Sequence, residues 1–180
     1  QMEGVEIFAK GRSLFLFNAI LNAKHEFVGM FAGDWREAHR EACKFVDQVY
    51  GAVIPQEADL VVASCGGYPK DINVYQMQKT MDNAMCAVSE GGVVILFADP
   101  AELEGNFRIG ANKAFAVTRP LSKARFILVT SLDPELAHDM LFTAAVKTPE
   151  EAFALAREYV GEKPTVILMP EGSLTVPRVE

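Results

Sequence analysis

Gln76 and Lys79 stand three residues apart in the run Val74-Tyr-Gln-Met-Gln-Lys79. On a helix that spacing places both side chains on one side, a turn apart. Lysine offers three N–H donors and a charge, glutamine an amide, and the adjacent Tyr75 a phenol. Such a set suits an anion, above all a small carboxylate. A lysine in the first turns of a helix is opposed by the helix dipole, so its placement there argues for a use. The ordinary alternative is a solvated polar face. Immediately upstream, Ser64-Cys-Gly-Gly-Tyr-Pro-Lys-Asp-Ile-Asn73 joins a β-rich run to this helix. Gly66 and Gly67 permit backbone turns closed to other residues. Asp71 or Asn73 can cap the helix, and Lys70 adds a second cation beside the loop. In open α/β sheets, ligands gather at this carboxyl edge of the strands. A tight turn with a good cap would read the same way, since no G-x-G-x-x-G is present.

Other reactive side chains are scattered. His39 and Cys43 are four apart on a helical pattern but have no third ligand near them in sequence, so a metal site is not expected. His25 belongs to a turn and His138 to a short helix beside Asp139, and neither has a partner that would make it a general base. Cys65 at a helix entrance could be an activated thiol, although an inert cysteine at a strand end is the plainer reading. No Ser/His/Asp grouping is apparent.

The elements that must position these residues are legible as patterns. The runs Asp59–Ser64, Val93–Ala98, Arg125–Thr130 and Thr165–Met169 are apolar throughout, as in strands of a parallel sheet covered on both faces. Helical patterns between them predict a βαβ wind. Along the helix after the glycine loop, Val74, Met77, Met81, Ala84, Met85 and Val88 form the core stripe. Asp34 is placed to cap a helix over Trp35–Tyr50, with Glu37 completing a capping box and Gly51 as the stop. Thr148-Pro149-Glu150-Glu151 repeats that logic, and Asp133-Pro134 opens a shorter helix. Phe15–Leu21 and Phe27–Ala32, around Asn22–Glu26, predict a hairpin. The segment Asp99–Ala111 reads as an exposed loop. The expected fold is α/β: a mostly parallel, Rossmann-like sheet with helices on both faces, preceded by an N-terminal β-hairpin and helix. Residues 1–51 are read as that hairpin-helix extension and 52–180 as the sheet unit, within one domain.

Composition narrows the partners. The 180 residues are 50% hydrophobic and 23% charged, with a formal net charge of −7. Apolar content at this level excludes intrinsic disorder, and the acidic balance argues against a nucleic-acid partner. No apolar run approaches the ~20 residues of a membrane-spanning helix. Three cysteines without a C-x-x-C suggest neither a disulfide framework nor zinc, and point to a reduced, cytoplasmic setting. Gln1 is an unusual natural start and suggests a piece of a longer chain.

The run Gly66-Gly-Tyr-Pro-Lys-Asp-Ile-Asn-Val-Tyr-Gln-Met-Gln-Lys-Thr-Met-Asp-Asn-Ala84, followed by Gly91–Ala98, resembles the nickel-dependent lactate racemase family. The likeness extends to Asn18–Asn22, Val28–Asp34 with Ala38–Arg40, Lys113–Phe115 and the tail Met169-Pro-Glu-Gly-Ser173. It implies the C-terminal domain of a two-domain enzyme whose N-terminal domain is absent here. In that family a nickel-pincer nucleotide accepts and returns the α-hydride of a 2-hydroxy acid. The attachment lysine, the nickel-binding histidine and the proton-handling histidines belong to the N-terminal domain.

The resemblance therefore implies no catalytic residue and no metal or cofactor held by this chain, which alone should be inactive. It places Gln76 and Lys79, with Tyr75 alongside, on the substrate carboxylate, and Gly66, Gly67, Lys70, Asp71 and Asn73 in the loop at the site. The expected partners are a 2-hydroxy acid and the N-terminal domain. The sequence departs from the family between Asp99 and Gly110, which is short, and at Asn112, where histidine is common. A second reading is a freestanding α/β module that binds a small carboxylate or phosphate without catalysis. A third is a dimerising domain whose Tyr75–Lys79 face contacts protein.

Overall fold

The computed structural model describes residues 2–100, 111–139 and 141–180. The segment expected as an exposed loop at 99–111 therefore falls largely outside the described residues. The chain divides into two compact units, residues 1–51 and 52–180.

The first unit contains α1 (Met2–Ala9), β1 (Phe15–Leu21), β2 (Phe27–Asp34) and α2 (Trp35–Tyr50). Its hairpin closes because Asn22 Oδ1 accepts the backbone N–H groups of Lys24 and Glu26 at 2.9 and 3.0 Å, an Asx turn of the kind that short polar side chains form locally. Asp34 caps α2 as expected, its Oδ1 accepting from the Arg36 and Glu37 amides. Ala38 and Ala42 of α2 are buried, as is Ile20 of β1, and the rings of Phe31 and Phe45 meet 5.7 Å apart. The sequence patterns did not anticipate α1.

The second unit runs β3 (Gly51–Ile54), β4 (Ala58–Ser64), α3 (Val74–Met85), β5 (Val88–Phe97), α4 (Ala111–Lys123), β6 (Arg125–Val129), α5 (Pro134–Asp139), β7 (Ala144–Val146), α6 (Pro149–Val160), β8 (Val166–Met169) and β9 (Val176–Val179). Five strands form one parallel sheet in the order β7-β6-β5-β4-β8, and β3 pairs with β9 separately. Alternate residues along each central strand enter different cores. Val61, Ala63, Val94, Leu96, Phe126 and Leu128 pack with Met77, Met81 and Ala84 of α3. Leu60, Val93, Ile95 and Ile127 pack with Ala152 and Ala156 of α6 on the other face. Helices thus cover both faces, which is why the strands read as unbroken apolar runs. The Thr148 capping box at the start of α6 is complete.

Other details differ from the sequence reading, which did not include the β3–β9 pair. Val88 does not extend the α3 stripe: the helix ends at Met85, and Val88 begins β5, pairing with Ala58. The edge strand β7 was not anticipated, because three residues carry too little pattern to separate from a loop. No helix among the described residues is long and apolar enough to cross a membrane.

Candidate functional site

Chain order reverses at β4, whose neighbours in the sheet are β5, the next strand, and β8, a late one. Such a switch point opens a crevice at the carboxyl ends of the strands, where α/β sheets bind their ligands. Lys70, from the loop after β4, meets Gln76 and Lys79 of α3 and Ser173 and Leu174 from the loop after β8. Together they line a cavity of about 100 Å³.

Within it, the Lys79 ammonium donates to Gln76 Oε1 at 2.7 Å. An ammonium cannot accept, so the bond fixes the glutamine carbonyl toward Lys79 and leaves its NH₂ as a donor to an incoming anion. Lys79 is exposed and Gln76 half-buried. Among the described residues, no carboxylate lies in ion-pair range of Lys79, whereas Lys70 pairs with Glu171 at 3.2 Å. The cavity therefore presents one neutralised cation and one open cation.

The glycine loop has the expected conformation, with φ of +87° at Gly66 and +72° at Gly67. A Cβ on Gly66 would lie 3.2 Å from Lys70 Nζ and 3.4 Å from Glu171 Oε2, so the missing side chain makes room for that ion pair. The loop after β8 is held against the site by Gly172, whose N–H donates to the Ser64 carbonyl at 3.0 Å. A Cβ there would come within 2.7 Å of Thr80 Cγ2. Asn83 completes the clamp by donating to the Gly172 carbonyl at 2.8 Å.

Of the two candidate caps, Asn73 is the one used: its Oδ1 accepts the Gln76 N–H at 3.1 Å. That bond occupies one of the amides at the helix start. Asp71 does different work. It is buried and accepts the Asp99 N–H at 3.3 Å, while Asp99 Oδ1 accepts from Thr130 Oγ1, Ser131 N and Ser131 Oγ at 3.0, 2.7 and 2.6 Å. These bonds join the loops after β4, β5 and β6, and those from Ser131 hold the Asp99 carboxyl below its ordinary range. Tyr75 is half-buried on the same turn of α3 as Gln76 and stands outside the cavity lining.

Cys65 is fully buried, and burial pushes its thiol up to about 11, the opposite of an activated nucleophile. His39 Nε2 and Cys43 Sγ approach to 3.6 Å on α2, with no third donor among the described residues. Among the described residues, no group of three or more His, Cys, Asp or Glu converges where a metal could sit. These residues do not offer the donor set that a nickel ion requires. Glu171, Ser173 and Leu174 were not among the site residues read from the sequence. Only the pairing of β8 with β4 brings them to α3.

Residues 53–109 match the family model of the lactate racemase C-terminal domain. The chain is 29% identical to the lactate racemase of Thermoanaerobacterium thermosaccharolyticum over 94% of its own length and 46% of that protein. It is 30% identical to the lactate racemase of Lactiplantibacillus plantarum over 88% of its length and 43% of that protein. The chain thus spans less than half the length of the curated relatives it matches. Its fold superposes on the lactate racemase apoprotein from T. thermosaccharolyticum with a TM-score of 0.80 and 27% identity, covering 96% of this chain and 48% of that one. A Thermotoga maritima protein, at 11% identity and a TM-score of 0.64, covers 99% of this chain and 52% of its own, and shares the fold alone. The resemblance carried by Gly66–Ala84 is therefore met by a family model, by curated relatives and by a solved structure.

Proposed function

We propose that this relative of the lactate racemase C-terminal half supplies the substrate-carboxylate wall of a 2-hydroxy-acid racemase or epimerase. In this reading the nickel-pincer nucleotide, its attachment lysine and the proton-handling bases lie outside the chain, and the setting is cytoplasmic. The observation that carries the reading is the Lys79–Gln76 pair at 2.7 Å inside the switch-point cavity. A carboxylate arriving there gains charge-assisted hydrogen bonds from the free N–H groups of Lys79 and from the Gln76 amide, each worth roughly 1.5–3 kcal/mol. Holding both oxygens anchors the acid at one end and restricts how its Cα can face whatever completes the site. The cavity's size suits a small acid. The role of these residues is thus to bind and orient, and the transfer chemistry is assigned to none of them.

The test is an NMR titration of the chain with lactate and related 2-hydroxy acids, following the α3 amides. Wild type should bind weakly, with Kd on the order of millimolar, as expected of half a site. Lys79→Ala should weaken binding by at least about tenfold, the loss of one charge-assisted bond. Unchanged binding in Lys79→Ala would remove that residue from the site. Micromolar binding by the chain alone would favour the freestanding carboxylate-binding module.

A further inference from the structure

Ser173 carries a donor that nothing in its surroundings uses. It stands on the wall of the switch-point cavity supplied by the loop after β8, in company with Lys70, Gln76 and Lys79. The residue is half-buried, but its Oγ is sealed from water and has no hydrogen-bond partner among the described residues. Serine hydroxyls in loops commonly bond to nearby backbone, and buried polar atoms of native folds nearly always find a partner. Here the backbone on either side is already committed. The Gly172 N–H donates to the Ser64 carbonyl at 3.0 Å, and the Gly172 carbonyl accepts from Asn83 at 2.8 Å. The N–H groups of Leu174 and Thr175 both donate to the Glu171 carbonyl, at 3.0 and 2.9 Å. The serine is therefore pinned from both sides, and its loop must break these bonds to carry the hydroxyl out to solvent.

We infer that Ser173 Oγ is a third donor to the substrate carboxylate, an inference that rests on the carboxylate site proposed above. A cavity of about 100 Å³ amounts to roughly three water volumes, so an acid seated on Lys79 fills it and meets every wall. A carboxylate has about four lone-pair sites. Lys79 and Gln76 engage some of them, and a hydroxyl hydrogen rotates to meet another. An ionised acceptor is the partner that best offsets an orphan hydroxyl, since charge-assisted bonds are roughly twice as strong as neutral ones. The hydroxyl thus detracts from folding and adds to binding, and its removal should move the two in opposite directions.

The test pairs NMR titrations of the chain with lactate and with propionate against thermal melts, for wild type, Ser173→Ala and Ser173→Cys. Ser173→Ala should weaken both acids by about tenfold and melt no earlier than wild type, because the group it loses is an unpartnered one. Ser173→Cys keeps the volume but offers only a weak donor, so it should weaken binding by a similar factor. If the alanine variant melts earlier and cysteine restores both melting and affinity, the side chain acts by packing and the inference is overturned. Weakened lactate with unchanged propionate would put the serine on the 2-hydroxyl instead, and would overturn it too. Lys79→Ala separates the two proposals. If it weakens binding and Ser173→Ala does not, the carboxylate site stands and the serine's part in it falls; if Lys79→Ala binds as wild type does, both fall.

Discussion

Lys70 and Glu171 lie 101 residues apart in sequence, yet their charges meet at 3.2 Å above the bare backbone of Gly66. Their side chains are 35% and 58% exposed, so the pair contributes no more than about 1 kcal/mol to stability. Its larger effect is electrostatic. It ties the loop after β8 to the loop after β4, and it neutralises Lys70 so that Lys79 is left as the cavity's open charge.

Glu171→Gln should therefore change stability by less than about 1 kcal/mol in chemical denaturation. It should also tighten carboxylate binding several-fold in the same NMR titration, because a second cation is released toward the anion. Weaker binding would mean that Glu171 acts by placing the loop and not by cancelling charge.

Replacing Gly66 and Gly67 separately by alanine distinguishes conformation from crowding. Both have positive φ, so each alanine should cost roughly 1–2 kcal/mol in denaturant melts. A Cβ on Gly67 meets nothing within 4 Å, whereas one on Gly66 presses on Lys70 and Glu171. Only Gly66→Ala should also alter carboxylate affinity. Equal effects of the two on binding would dismiss the crowding argument.

Cys65 sets a pH limit. Its thiol titrates near 11 when folded against an ordinary 9.0, so the unfolded chain loses that proton first. The stability attached to the buried thiol is whole below pH 9.0 and is lost as pH rises through 11. The stability difference between wild type and Cys65→Ala should narrow across that window. Under native conditions at pH 8, iodoacetamide should modify the exposed Cys43 and Cys86 and spare Cys65. Equal alkylation of all three would contradict the burial.

Much of the fold was legible because burial on both faces writes itself into composition: β4, β5, β6 and β8 lie on the four apolar runs. The caps Asp34, Asn73 and Thr148 were readable because capping is local chemistry. Gln76 and Lys79 were readable for the same reason, being one helical turn apart. Besides α1 and the β3–β9 pair, other features were not. The edge strand β7 has too few residues to carry a period, and the end of α3 before Val88 depends on where the next strand pairs. The third wall of the cavity, Glu171 to Leu174, depends on the order of strands in the sheet, which no local pattern records. Asp71 shows the same limit: its spacing allowed a cap, but the loop after β5 takes its carboxylate instead.

The pairing Leu60↔Val166 has a consequence in time. The first strand of the parallel sheet finds one of its two neighbours only after nearly the whole unit has been made. Closing so long a loop is slow and comes late in folding. During synthesis, β4, β5 and β6 can associate while the loop that carries Glu171 and Ser173 is still unborn. The cavity lined by Lys70, Gln76, Lys79, Ser173 and Leu174 therefore forms late, after β4, β5 and β6 have been made.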